Sequence, residues 1–181
     1  VEIERRARIN DINNLILKLD KIGAKPISTK NQIDTYYGSI ELYKKIGYSF
    51  VTRIRESDSK YILTVKTAKP KKDGIWEEFE TEIDKPKTYD EMFVAMGLEK
   101  IITVQKERRM FKFENITVNI DTFKNEGTFI EIELISDKPE TEKLSNFMDK
   151  IKIKPNDIIK VGYISLFLKD KKSKFAEFVK N

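Results

Sequence analysis

The chain begins VEIERRARI, a run in which Glu2, Glu4, Arg6 and Arg8 alternate with mostly apolar neighbours (Val1, Ile3, Ala7, Ile9). In a β-strand, residues i, i+2 and i+4 share a face. Two carboxylates and two guanidiniums therefore stand in one row. The same arrangement recurs down the chain. VTRIRE pairs Arg53 with Arg55, YILTVK pairs Thr64 with Lys66, and WEEFETEI aligns Glu78, Glu80 and Glu82. VQKERRMF pairs Lys106 with Arg108, VNIDTF presents Asp121, and FIEIEL pairs Glu131 with Glu133. Lys and Arg neutralise phosphate oxygens, and Arg grips two at once. Carboxylates repel phosphate but bind Mg²⁺ or Mn²⁺, which bridges the two. Arg6, Arg53, Arg55, Lys66, Lys106 and Arg108 thus form a candidate phosphate-binding set. Glu2, Glu4, Glu131 and Glu133 form a candidate metal set.

An open antiparallel sheet with one wet face accounts for any single one of these strands. It accounts less well for all of them, because the charged faces are nearly pure doublets (ExE, RxR, KxR) and the opposite faces are as cleanly apolar. If helices cover the apolar face, the charged face becomes the inside of a barrel. Buried charges are costly unless paired or metal-bound. Such a lining suits water, ions and a polyanion, and points to metal-dependent chemistry on a polyphosphate.

The composition narrows the chemistry further. The chain has 181 residues, enough for one domain (1–181) with a real core. It contains no cysteine and no histidine. Disulfides, thiolate catalysis, Ser-His-Asp triads and most zinc sites are thereby excluded. Catalysis must run on carboxylates, Lys, Arg, Tyr and oxygen-bound metal. The net charge of +5 is a weak nucleic-acid signal, since 30 acids accompany 35 bases. The basic segment Lys169 to Lys180 adds slightly to it, and the carboxylates argue against it. No stretch is long and apolar enough to span a membrane. No export signal is recognisable, so the expected location is the cytoplasm.

These residues must be positioned by short strands. Period-two segments fall at 1–9, 32–38, 48–56, 60–68, 76–84, 101–113, 115–122 and 128–135. ESDSK at 56–60, KPKKDG at 69–74, Asn115 and the 124–127 segment read as turns. Helical spacing predicts helices over 10–22, capped by Asn10 or Asp11 and ended by Gly23, and over 87–96, stopped by Gly97. A third runs over 138–151, opened by Asp137, Pro139 and Glu140. A fourth helical region follows Pro155 through Leu166, and the basic tail is expected as a further amphipathic helix. Trp76 reads as a core or loop anchor. The expected class is α+β: an eight-stranded antiparallel β-barrel with a charged interior and helices packed outside.

The ordered set of motifs resembles the CYTH superfamily, the triphosphate tunnel metalloenzymes. Glu2-x-Glu4-x-Arg6 is similar to the family's ExExK signature, with Arg6 in place of Lys. IDTYYGS at 33–39, Arg53-Ile-Arg55, LTVK ending at Lys66, EEFETEID, VQKERRMF and TFIEIE at 128–133 follow in the family's order. Gly38 stands where the family often has aspartate. The resemblance implies a tunnel in which the basic residues bind a triphosphate and the glutamates bind one or two Mg²⁺ or Mn²⁺ ions. The catalytic candidates are Glu2, Glu4, Lys66 and Asp121, with the general base unassigned, and the candidates for further tunnel lining are Arg8, Glu78, Glu80 and Glu82. Asp121 reads first as a metal-shell or base residue, with a hydrogen-bonded turn aspartate a close alternative. Lys66 suits phosphate better than proton abstraction, because a cationic amine needs a large pKa shift to act as a base.

The preferred activity is hydrolysis of inorganic triphosphate or of an organic or nucleoside triphosphate. The alternative is an adenylyl cyclase that makes cyclic AMP and pyrophosphate from ATP. A non-catalytic binder of polyphosphate or nucleic acid ranks third. The expected partner is a triphosphate-containing small molecule, with no membrane and no nucleic acid, and the protein is expected as a monomer or homodimer.

Overall fold

Alternating polar and apolar residues lay down most of the observed strands. A computed structural model describes residues 2–48, 50–67, 77–136 and 140–177, without the side chains of Glu2 and Glu77. Its strands are β1 (Glu2–Ile9), β2 (Lys25–Gly38), β3 (Phe50–Ser57), β4 (Lys60–Thr67), β5 (Glu77–Ile83), β6 (Glu99–Phe113), β7 (Ile116–Phe123), β8 (Gly127–Ile135) and β9 (Ile158–Ile159). The helices are α1 (Ile12–Lys21), α2 (Ile40–Ile46), α3 (Pro86–Ala95), α4 (Thr141–Lys150) and α5 (Tyr163–Asp170). The strands hydrogen-bond in the order β5-β4-β3-β2-β6-β7-β8-β1-β9. Every pair with an assigned register is antiparallel. The expected α+β architecture of antiparallel strands and helices is the one the chain adopts.

Two compact units make up the chain, one of residues 1–31 and 106–160, the other of 32–105 and 161–181. In the first unit, β1, β7, β8 and the C-terminal half of β6 turn one face to α1 and α4. Ile3, Ala7, Phe111, Ile116, Val118, Ile120, Ile130, Ile132 and Leu134 pack there against Leu15 and Leu19 of α1 and Leu144, Phe147 and Met148 of α4. This clean apolar face is what fixes the register. A slip by one residue would carry every one of these side chains to the charged side. The Asp11 carboxylate caps α1 by accepting from the Asn14 amide at 2.9 Å. In the second unit, β2 to β5 and α3 surround Tyr37, Ile54, Ile83, Phe93 and Leu98.

Three differences from the sequence expectations have local causes. The strand expected at 32–38 begins at Lys25, because 25–31 extends without an apolar alternation to reveal it. Residues 40–46 form α2, which the sequence reading missed although both end signals are present. Ser39 caps the Leu42 amide, and Gly47 closes the helix at φ +78°. After Pro155 a single 3-10 turn leads into β9 on β1, and the helix begins only at Tyr163. Ile158 and Ile159 therefore make a ninth, very short strand beside the eight expected ones. The hairpins fall where expected. Asp58 and Ser59 are both at positive φ between paired Ser57 and Lys60, a two-residue turn of the primed type that matches strand twist. The expectations for Trp76, the 69–74 loop and the Asp137–Pro139 helix start lie outside the described residues.

Candidate functional site

The charged face of the first unit is assembled by strand register. Glu4 lies opposite Glu133 and Arg6 opposite Glu131 across β1 and β8. Across β7 and β8, Asn119 lies opposite Glu131 and Thr117 opposite Glu133. Across β6 and β7, Arg108 lies opposite Asp121. Residues far apart in sequence thus become neighbours on one surface.

Glu131 is the centre of this surface. One of its carboxylate oxygens accepts from Arg6 Nε at 2.8 Å and the other from Arg108 Nη2 at 2.9 Å. Arg6 also donates to Glu4. Burial pushes the Glu131 carboxyl upward, but Arg108, Arg6 and Lys106 outweigh it and hold the group well below the usual carboxylate range. Beside it, Asp121 is fully buried. It accepts from Arg108 Nε at 2.7 Å and Nη2 at 2.6 Å, and from Lys106 Nζ at 3.1 Å. Burial disfavours the Arg108 cation, yet Asp121, Glu131 and Glu133 raise its pKa well above the ordinary value. Lys106 also lies over the Phe123 ring, 5.3 Å from its centroid.

Carboxylate oxygens of Glu4, Glu131 and Glu133 all lie within 4.8 Å of one another. Three hard oxygens gathered this closely suit Mg²⁺ or Mn²⁺ better than softer metals. Each carboxylate oxygen has two lone pairs, so the hydrogen bonds to Glu131 do not consume its capacity for an ion. The acidic cluster fits such a cation, and the neighbouring guanidiniums supply anion-binding capacity.

The second unit carries its own charged row. Asp34, nearly inaccessible, accepts from Arg55 Nε at 2.7 Å and Nη2 at 2.8 Å. Arg53 donates to Thr64 Oγ1 at 2.7 Å and to Glu80 at 3.0 Å. Lys66 pairs with Glu78 at 3.3 Å. Tyr36 is buried, which pushes its hydroxyl up to about 12, with Asp34 adding to the rise and Arg53 and Arg55 opposing it.

Placement of the sequence candidates is therefore uneven. Glu4, Arg6, Lys106, Arg108, Asp121, Glu131 and Glu133 form one connected network. Arg53, Arg55 and Lys66 each have an acidic partner within the second unit. Of the three β5 glutamates singled out in the sequence, Glu80 joins the Arg53 network, Glu78 holds Lys66, and Glu82 makes an exposed pair with Lys60. Arg8 stands apart from the carboxylate cluster, stacked on Phe129 at 4.8 Å and reaching the Glu126 carbonyl at 3.4 Å. The Glu2 side chain lies outside the described residues. Asp121 sits in a strand and not in a turn. The sequence reading missed Asp34 and Asn119, and took Thr64 only as the face-sharing neighbour of Lys66. Asp34 precedes Tyr36 by two in IDTYY, and Asn119 precedes Asp121 by two in VNIDTF, so face-sharing was the available signal for both.

The chain's likeness to known proteins covers nearly its whole length. The CYTH domain model matches residues 1–163. A protein of Methanocaldococcus jannaschii named as a candidate adenylate cyclase is 31% identical over 175 residues, covering 92% of this chain and 98% of that one. A solved protein from Pyrococcus horikoshii superposes with a TM-score of 0.79 at 25% identity, covering 92% of this chain and 99% of the other. A Hippeastrum candidate adenylyl cyclase, described as having a dominant triphosphatase activity, shares the fold with a TM-score of 0.66 at 20% identity, over 96% and 97% of the two chains. With the family model spanning the ordered motifs from Glu2 to Glu133 and beyond, the chain belongs to the CYTH domain family.

Proposed function

We propose that the protein is a metal-dependent triphosphatase, which hydrolyses inorganic triphosphate or an organic or nucleoside triphosphate. The observation that carries this reading is the Glu4, Glu131 and Glu133 cluster held against Arg6, Arg108 and Lys106 on one sheet face. Glu2, Glu4, Glu131 and Glu133 would hold Mg²⁺ or Mn²⁺. The bound ion supplies charge neutralisation of the phosphate chain and polarisation of the phosphoryl group. Arg6, Lys106 and Arg108 bind phosphate oxygens, and Arg53, Arg55 and Lys66 are assigned the same role. Bidentate guanidiniums orient the chain and stabilise charge that develops on the bridging oxygen as it leaves. Asp121 acts as a positioning residue: it fixes the direction of Arg108 and Lys106, which are themselves the phosphate contacts.

The triphosphatase activity described for the Hippeastrum relative supports hydrolysis. A second reading, ATP cyclisation, is favoured by the name of the M. jannaschii relative, which is the more similar in sequence. The two are separated by incubating the protein with tripolyphosphate, ATP and thiamine triphosphate, with Mg²⁺ or Mn²⁺. Hydrolysis predicts orthophosphate release that chelator abolishes and that Glu133→Gln lowers by at least ~100-fold, the scale of losing one strong transition-state electrostatic contact. Cyclic AMP and pyrophosphate from ATP, without orthophosphate, would establish the cyclase instead. Turnover unchanged in Glu133→Gln would remove the metal role of the cluster.

A further inference from the structure

Asn119 is an unusual residue for the middle of β7. It is 1% exposed, and the strand residues on either side, Val118 and Ile120, belong to the apolar core. Its side chain shares the opposite, charged face. Its cross-strand partner on β8 is Glu131, and the adjacent row holds Glu133 opposite Glu4. The amide nitrogen donates to Glu133 Oε1 at 3.0 Å. The amide oxygen, buried in the same place, has no hydrogen-bond partner among the described residues.

That combination has a cost. A buried carbonyl without a donor loses about 1–3 kcal/mol of hydration that nothing returns. If the side chain served only to hold Glu133, the strand would gain by supplying a donor to the oxygen as well. Cations also satisfy carbonyl oxygens, and an asparagine oxygen is a hard, neutral ligand of the kind Mg²⁺ and Mn²⁺ accept. A neutral ligand adds no further repulsion to three carboxylates already crowded within 4.8 Å.

We propose that Asn119 belongs to the metal site itself, with its Oδ1 as a further, neutral protein oxygen beside the carboxylates of Glu4, Glu131 and Glu133, while its N–H orients Glu133. This rests on the metal reading given above and deepens it. The two ends of one amide divide the work: one fixes a carboxylate ligand and the other is a ligand. The site would then combine carboxylate oxygens with one amide oxygen, leaving the ion able to take water and phosphate oxygens as well.

The test is Mn²⁺ binding to the whole protein without substrate. Free Mn²⁺ is followed by electron paramagnetic resonance, and metal-bound water by water-proton relaxation. The unaltered chain is compared with Asn119→Leu, which keeps the shape and loses both polar ends, and with Asn119→Asp, which keeps the oxygen and loses the N–H. Asn119→Leu is expected to raise Kd 10- to 100-fold, the usual range for removing a supporting group at a metal site. Relaxivity per bound ion should rise as a water takes the vacated position. Asn119→Asp should bind at least as tightly as the parent, while melting at a lower temperature without metal because a fourth carboxylate joins the cluster. If Asn119→Leu keeps the parental Kd and relaxivity, the proposal fails. If Asn119→Asp loses affinity as fully as Asn119→Leu, the amide only orients Glu133 and the ligand assignment is overturned. Should Asn119→Leu not fold, the Asn119→Asp comparison decides alone. Absence of Mn²⁺ binding to the unaltered chain would instead overturn the metal reading, and this inference with it.

Discussion

Asp121 shows how much a single buried carboxylate can organise. It receives two hydrogen bonds from Arg108 and one from Lys106 while wholly removed from solvent. Removing one member of a buried charged group leaves the others uncompensated, typically at 3–5 kcal/mol. Asp121→Asn is therefore expected to lower stability by about 3–5 kcal/mol in denaturant unfolding, well beyond an ordinary surface change. Asp90 makes a different, pH-dependent contribution. Burial is the largest single influence and raises its pKa, but the hydrogen bonds from Lys100 at 2.9 Å and from Tyr37 at 2.9 Å, with the Lys100 charge, together lower it overall. A depressed folded-state pKa gives stability that is present above the unfolded value, near ~3.9, and lost as pH falls through the folded one. Thermal melts of the parent and Asp90→Asn should differ at pH 7 and converge as the pH drops below ~4. A difference that persists to pH 2 would assign the effect to packing.

At the scale of elements, the junction of β2 and α2 explains why position 38 is a glycine. Its φ is not positive, so the reason is space and not backbone freedom. A Cβ there would run into the Tyr43 hydroxyl and lie 2.7 Å from Ile101 Cδ1. Tyr43 cannot easily yield, since it is buried, donates to the Phe50 carbonyl at 2.8 Å, and packs edge-on against the Phe50 ring. Gly38→Ala should destabilise by about 1–3 kcal/mol, as overpacking does. Tyr43→Phe in that background should recover part of the loss, because it removes the hydroxyl but leaves the Ile101 contact. No recovery in the double mutant would show that the clash lies elsewhere. Sequence reading found the long strands because period two survives wherever one face is buried. It missed α2, whose seven residues carry only one short stripe, Ile40, Tyr43 and Ile46, too brief to stand out from the flanking strands.

At the scale of the whole chain, folding and ligand binding should be linked. Among the described residues, no helix is long and apolar enough to cross a membrane, and the site rests on strands that also build the core. A ligand that binds only the folded state stabilises it by mass action, by about 2.7 kcal/mol at a hundred times its Kd. Mn²⁺ with tripolyphosphate should raise the melting temperature of the intact protein by several degrees more than either alone, and chelator should abolish the metal-dependent part. Additive shifts would show that metal and anion bind independently, contrary to a shared site.

The sequence by itself determined which residue types share a strand face, because side chains alternate with a period of two whatever the fold. That was enough for the carboxylate pairs, the cation pairs and the apolar faces beneath them. It also fixed the hairpin turns, where local backbone chemistry decides. What only the tertiary structure decided is which rows meet. Glu4, Glu131 and Glu133 become one cluster because β1 pairs with β8, although well over a hundred residues separate them in the chain. Likewise Asp121 proved to be the counter-ion of Arg108 and Lys106, Arg55 was found locked by Asp34, and Arg8 was left on Phe129. Asn119 was hidden for the same reason. An asparagine in a strand is unremarkable until register sets it against Glu131 and burial leaves its oxygen unpaired. Pairing and burial depend on partners distant in sequence, and no local pattern encodes them.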